Sequence, residues 1–591
     1  MKNVCVGEYI YRFHIREFIA SLSGIVFFCG INHQAFAQST LPAGVTIPAN
    51  TPKRVQETIP QPADSPQPIP ATPENPPTQS VPTPTNPTQN QPTSSTTELF
   101  PVKKIEVLGN TIFQKQISQL VQEYEQKKEI SFEDLITLRT KITKFYVDNG
   151  YITSGAFILN DRPDDIENGN VTIQIVEGRL EKIEIQGLQR LEEIYVRSRI
   201  KIATTAPLNK QRIEEALQLL QIDPIIKRVN AELIAGSSPG LNILRVELQE
   251  APAFHAGIVI ANNQSPNIGS VQGSVFAVHD NFTGFGDQLS LEYGSTEGLN
   301  IYNISYKLPI NARNGTINLR YSNNNSKIIT ESFAYLGIRS DSETLSFGFR
   351  QPLIRKPQTE FAVGMGFDLR RSQTFLLDNI PFSFSAGAEK GESRVSLIRF
   401  YQDWVHRSAT QVLAGRSQFS FGIDAFDATV NNTGTDGRFF SWLGQFQWVR
   451  QVSKRILLLT RIAAQLTPDS LLTLEKFSLG GVDTVRGYRQ NQLVSDNGVL
   501  GAVELRIPLS TNPKTLQLKP FVEIGGGWNN RGDNPDPSLI ASTGLGVEWQ
   551  VFRSLNLRLD YGVPLIGVKD KGNSLQDNGF YFSLQYQPDI W

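Results

Sequence analysis

Groups that could do chemistry in this 591-residue chain rarely occur in the arrangements that catalysis requires. The sequence has no phosphate-cradling glycine loop ending in Lys-Ser/Thr and no His-Glu-x-x-His pair. It also has no glycine-rich strand-to-helix dinucleotide turn. Five histidines, with His14 and His33 in the first forty residues, leave no metal cluster. Asp164-Asp165 reads as a solvated turn, and Arg531-Gly532-Asp533 as a chance match to an adhesion tripeptide. The arrangement with content is an arginine among glycines, Phe477-Ser478-Leu479-Gly480-Gly481-Val482-Asp483-Thr484-Val485-Arg486-Gly487-Tyr488. A guanidinium held away from water requires a carboxylate, and a bidentate pair fixes direction as well as charge. The flanking glycines permit a tight loop and close backbone approach. The chemistry expected is therefore positioning, with no enzyme activity, no cofactor and no metal.

What positions Arg486 is a field of strands. From about Ala251 the helical period disappears and period-2 alternation takes over. Phe440 to Trp448 sets aromatics on one face, while Val503-Glu504-Leu505-Arg506-Ile507 and Leu555 to Tyr561 each set charges opposite aliphatics. Sixteen strands are expected, centred near residues 258, 274, 290, 304, 318, 347, 364, 398, 416, 444, 461, 503, 523, 545, 558 and 582. Their spacing suits membrane strands of ~10 residues plus connections. Short links such as Arg355-Lys356-Pro357 and Val452-Ser453-Lys454 fit one rim, and long polar ones at 376–390 and 428–437 fit the other. Parity places Arg486 in the sixth long-rim loop. The even strand count returns the C-terminus to the side of the N-terminal modules. The last strand, Phe580 to Tyr586, looks like a barrel-assembly signal, followed by Pro588 and a terminal Trp591.

Composition agrees with such a barrel. Net charge is −1, from 56 basic and 57 acidic residues, which removes the footprint of a nucleic-acid binder. Mean hydropathy is −0.23 and no run approaches the ~20 apolar residues of a membrane helix. A closed barrel is the other route through lipid and hides its apolar face in alternate residues. Residues 1–37 read as a secretory signal, with Lys2, Arg12 and Arg16, an apolar run from Phe18 to Phe28, and Ala35-Phe36-Ala37. Cys5 and Cys29 both lie within it, so the processed chain would have neither a disulfide nor a thiolate site. Residues 38–100 read as a stiff linker, since fifteen of the 34 prolines fall there.

Between linker and strands lies an internal repeat. Lys104-Ile105-Glu106-Val107-Leu108-Gly109 returns as Lys182-Ile183-Glu184-Ile185-Gln186-Gly187. Each copy leads into two helical patterns and then alternating strands, giving the order β-α-α-β-β twice. Ser131 with Asp134 predicts a capping box before a helix presenting Leu135, Leu138, Ile142 and Phe145. Asn209 predicts a second N-cap, before Ile213, Ala216, Leu217 and Leu220.

These modules, at 101–178 and 179–250, resemble POTRA domains, with Tyr146-Val147-Asp148-Asn149-Gly150-Tyr151 matching a Y-x-x-x-G-Y element. The string Val485-Arg486-Gly487-Tyr488 resembles the VRGY signature of two-partner secretion transporters, the ShlB/FhaC/HecB family. The resemblance implies a 16-stranded transmembrane β-barrel over 251–591, preceded by two α+β POTRA domains in the periplasm. It implies that Arg486 meets an acid in an F-x-D-x-G element, here Phe521-Val522-Glu523-Ile524-Gly525, with Glu523 in place of Asp. Alternation puts Phe521, Glu523 and Gly525 inward and Val522 and Ile524 toward outer-membrane lipid. The partner implied is a secreted, β-rich exoprotein received unfolded by β-augmentation and exported without ATP; no nucleic acid is involved. Members of the family often carry an N-terminal plug helix, whereas the stretch after Ala37 reads as proline-broken sequence; either the plug is absent, leaving the sixth loop as the main obstruction, or the linker serves another purpose. A barrel insertase and a passive porin or receptor share parts of this design, and two POTRA copies favour secretion.

Overall fold

A computed structural model describes residues 99–159, 169–569 and 571–588. The expected signal, nearly all of the linker, Asp164-Asp165 and Trp591 lie outside the described residues. The described chain divides into two units that meet at Ala251 and Pro252.

The N-terminal unit contains both repeats. In the first, the elements are β1 (Lys104–Leu108), α1 (Gln114–Glu125), α2 (Phe132–Asp148), β2 (Gly155–Leu159) and β3 (Asn170–Val176). Strand β3 is central, parallel to β1 and antiparallel to β2. Joining β1 to a parallel partner requires a crossover, which the two helices supply. Their apolar faces, Ile117, Val121 and Tyr124 on one and Leu135, Leu138 and Ile142 on the other, cover Ile105, Val171, Ile173 and Ile175. Ser131 and Asp134 form the reciprocal capping box. Phe145 is only partly buried, whereas the next residue, Tyr146, is fully buried. Tyr146 wins the core position because its hydroxyl donates to Glu177 at 2.8 Å and its ring packs edge-on to Phe113. Burial, and then the Glu177 carboxylate, push that phenol well above its ordinary range. Phe100, expected to end the linker, packs on the core instead, and Leu99–Pro101 pairs with Glu129–Ser131.

In the second repeat, β4 (Arg179–Gln186), α3 (Glu193–Lys201), α4 (Lys210–Gln221), β5 (Ile226–Ala235) and β6 (Leu241–Glu250) copy this arrangement. Strand β6 is central, parallel to β4 and antiparallel to β5. Asn209 caps α4 through its side-chain oxygen. The repeat extends to detail no sequence offset shows. Glu177 accepts the Thr111 and Ile112 N–H groups after the first strand of its module. Glu250 does the same for Gln189, Arg190 and Leu191. Burial alone would raise the Glu250 pKa, but these N–H donors hold it below the usual carboxylate range. The modules join where the Leu208 N–H donates to the Gly178 carbonyl and the Lys210 N–H to that of Gly150. The Y-x-x-x-G-Y element thus forms part of the joint.

From Pro252 the second unit is a closed antiparallel barrel. Its wall strands are β7 (Phe254–Ala261), β8 (Gln272–Asp280), β9 (Gln288–Ser295), β10 (Leu299–Pro309), β11 (Thr316–Lys327) and β12 (Arg339–Arg355). There follow β13 (Thr359–Leu376), β14 (Glu392–Arg407), β15 (Gln411–Ile423), β16 (Phe439–Gln451) and β17 (Leu457–Leu466). The last five are β18 (Asn497–Pro508), β19 (Leu516–Trp528), β20 (Leu539–Phe552), β21 (Leu555–Pro564) and β22 (Phe580–Tyr586). These sixteen contain every expected strand centre. Strand β22 closes on β7 from Ser583 opposite Ala261 to Tyr586 opposite Ile258. Polarity is inverted relative to a soluble core. On β19, Val522 and Ile524 are 56% and 48% exposed on the outside, while Phe521 and Glu523 are 3% and 0% exposed within. No helix among the described residues is long and apolar enough to cross a membrane.

Candidate functional site in the barrel lumen

The connection between β17 and β18 is the sixth of the long rim and folds back inside the wall. It makes its own ribbon, Phe477–Leu479 antiparallel to Leu493–Ser495. Phe477, Leu479, Val485, Tyr488 and Leu493 of the loop form an apolar core with Leu443, Ala463, Leu500 and Ile540 of the wall. This part of the lumen is packed like a protein interior, where alternation alone suggests a wet channel.

At the tip, Arg486 is 1% exposed and fully engaged. Its Nε and Nη2 donate to Glu523 Oε1 at 3.0 and 2.6 Å, and its backbone N–H donates to Glu523 Oε2 at 2.7 Å. Nη1 reaches Asp560 Oδ1 at 2.8 Å and Nη2 lies 3.0 Å from Glu504 Oε2. The guanidinium also stacks 3.4 Å above the Phe521 ring. The expected pair therefore exists as the core of a larger cluster. Each carboxylate has a wall arginine of its own: Arg461 at 3.3 Å from Glu523, Arg506 at 3.2 Å from Glu504, and Arg558 at 2.6 Å from Asp560. Arg486 is inserted among these three pairs.

Neighbouring positions in the loop complete the attachment. Tyr581 Oη accepts the Gly487 N–H at 2.9 Å and donates to the Tyr488 carbonyl at 2.5 Å. The Tyr488 hydroxyl bridges the backbones of Ala541 and Ile566, 2.8 Å from each carbonyl. Gly487 has φ 98°, and a Cβ added to Gly562 of β21 would lie 2.5 Å from its nitrogen. Gly562 in turn donates its N–H to the Gly579 carbonyl, so three glycines meet backbone to backbone. A Cβ on Gly525 would strike Leu479 of the loop at 2.8 Å. Val485, Arg486, Gly487, Tyr488, Phe521, Glu523 and Gly525 are thus gathered at one place.

Asp560, Glu504 and Tyr581 lie outside the motif and its partner element. For Glu504 and Asp560 the signal is the charges set opposite aliphatics in Val503–Ile507 and Leu555–Tyr561, which mark lumen-facing carboxylates without naming their partner. Arg531 of the tripeptide lies elsewhere, at the rim, donating to the Thr433 carbonyl at 3.2 Å.

The family model described as "Haemolysin secretion/activation protein ShlB/FhaC/HecB" matches residues 240–549, and that of the ShlB-type POTRA domain matches 100–178. The chain belongs to the ShlB/FhaC/HecB family. It is an outer-membrane transporter of the two-partner secretion type, in a family of transporters rather than enzymes. It is similar to the outer membrane transporter CdiB of Dickeya dadantii, 23% identical over 462 residues, covering 74% of this chain and 77% of that one. The heme/hemopexin transporter protein HuxB of Haemophilus influenzae is 22% identical over 499 residues, with 82% of each chain covered. Among solved structures, CdiB from Escherichia coli superposes with a TM-score of 0.64 at 21% identity, covering 85% of this chain and 92% of that one. That likeness shows the fold.

Proposed function

We propose that this ShlB/FhaC/HecB transporter receives an unfolded, β-rich exoprotein as an added strand on its POTRA modules. It then passes the chain through the barrel past the sixth loop. The observation that carries this reading is the loop itself, fastened at Arg486 inside a barrel joined to two β-α-α-β-β modules. Strand β2 ends its sheet, and Phe157 and Leu159 on it are exposed. An open edge with apolar side chains suits β-augmentation by an extended client. Translocation requires no nucleotide, because folding beyond the membrane prevents return and supplies direction. Arg486 and Glu523 hold the loop in position for passage.

Deleting the gene and comparing the culture medium with outer-membrane protein levels tests the reading. Loss of one large secreted protein, with other barrels unaffected, supports secretion. Broad loss of barrels instead assigns the chain to insertion, and no change in either rejects both.

A further inference from the structure

The sixth loop is gripped a second time, away from the signature that marks its tip. Where it descends into the lumen, the single turn Thr473–Glu475 places the Glu475 carboxylate among arginines of β13 and β14. Arg370 Nη1 donates to Glu475 Oε1 and to the Leu474 carbonyl, each at 2.5 Å. Arg399 Nη2 lies 3.1 and 3.0 Å from the two Glu475 oxygens, and its Nε donates to Asp368 at 2.6 Å. Gln465 of β17 donates to the Glu475 carbonyl at 2.9 Å. Around this cluster Leu471, Leu472 and Leu474 pack on Val395, Leu397 and Phe439.

The polarity is the reverse of that at the tip. There the loop supplies the cation and the wall the anions, whereas here the loop supplies the anion and the wall the cations. The two grips also hold different parts of the wall. Arg486 attaches to β18, β19 and β21, and Glu475 to β13 and β14. Between them the Phe477–Leu479 ribbon lies on the wall through the apolar core described above. The loop is therefore held at both ends of its inner limb, by separate stretches of the wall. A buried bidentate or doubly shared carboxylate fixes orientation in a way apolar packing does not.

We propose that Glu475 is a positioning residue for secretion, a second grip that stays closed while the client passes and keeps the descending limb of the loop against β13 and β14. Releasing it alone leaves the tip fastened and frees the limb to enter the passage. The proposal rests on the secretion reading, but its first test does not. Lys476, next in the chain, is shielded and paired with Asp496 at 3.1 Å. With Glu475→Gln, external trypsin on intact cells is expected to cut after Lys476 at least tenfold faster, giving a new N-terminus at Phe477. The folded barrel band is followed in parallel. This arm needs no client, so it reports on the grip even if nothing is secreted.

The second test measures secretion. Glu475→Gln is expected to reduce release several-fold, with partial recovery in Glu475→Asp. Bridging Glu475→Cys to Arg370→Cys with a short, reducible bis-methanethiosulfonate is expected to restore both trypsin resistance and release. Unchanged cleavage and release in Glu475→Gln would remove Glu475 from the mechanism. A bridged protein that stops secreting, and resumes on reduction, would overturn a grip that stays closed. If Glu475→Gln fails to assemble, the bridged pair still decides, since it replaces the ion pair covalently and its release is compared before and after reduction.

Discussion

Strands β3 and β19 carry the same alternation and use it in opposite senses. In β3, Val171, Ile173 and Ile175 turn toward helices and form a dry core. In β19, Val522 and Ile524 turn outward, while Phe521 and Glu523 turn into the lumen. The pattern alone fixes which residues share a face and leaves open which face is wet. That is decided by the surroundings: amphipathic helices long enough to cover the sheet in the first case, and sixteen strands closing on themselves in the second. The two cores then tolerate damage differently, since one consists of methyl groups and the other of paired charges with an apolar insert.

The largest effect is expected from Arg486→Ala. The loop tip loses several charge-assisted bonds, on the order of 3–5 kcal/mol for a buried pair broken on one side. Docking should weaken about a hundredfold or more, and secretion should fall accordingly. The barrel should still assemble, because Glu523, Glu504 and Asp560 keep Arg461, Arg506 and Arg558. Heat-modifiable migration on gels checks this, and a missing barrel band would show that the wall depends on the loop for charge balance.

Next, Leu138→Ala in the first module removes a side chain with no exposure. A cost of about 2–5 kcal/mol is expected from lost burial and the cavity. Protease resistance of the N-terminal unit should fall while the barrel band is unchanged. An equal loss in both would mean that the two cores fold as one.

Val522→Arg places a charge on the lipid face. Such changes cost roughly 2–4 kcal/mol at mid-membrane and little near the interfaces. Urea titration of the folded barrel measures it. A neutral result would place Val522 at the headgroups or show that this face is not against lipid.

The smallest effect concerns the helix cap. Ser131→Ala should cost about 1 kcal/mol in unfolding of the N-terminal unit. Lys127, and then the Ser131 N–H, hold the Asp134 carboxylate below its usual range. Its contribution is therefore complete above the unfolded value of ~3.9 and disappears as pH falls through the lower folded value. Carboxyl NMR titration should show the Asp134 midpoint moving up in Lys127→Ala, and an unmoved midpoint would deny the pairing.

Much of this architecture could be read directly. Period-2 runs located the wall strands, because a closed barrel leaves each strand its own signature. Ser131 and Asn209 could be read because a cap is a contact within one turn of chain. Arg486 was found through a motif, and Glu523 through that motif's partner. Asp560 was not, since its contact with Arg486 spans 74 residues and no local pattern encodes it. Glu475 lies in a loop where neither period operates, and its arginines stand on strands more than 70 residues away. The exchange of Phe145 for Tyr146 has another cause. Helical spacing admits either residue on the inner face, and a distant carboxylate, Glu177, selects the one with a hydroxyl.

The meeting of Gly487, Gly562 and Gly579 has a consequence for how the protein can vary. Only the first belongs to the signature, yet a methyl group on Gly562 would stand 2.5 Å from the Gly487 nitrogen, and one on Gly579 would collide with the Gly562 carbonyl. The lock is thus cut as much into β21 and the loop after it as into the key. In a comprehensive substitution map, these two sites should tolerate even alanine as poorly as Arg486 tolerates loss of its charge. They would form a silent part of the signature, written in atoms that are missing.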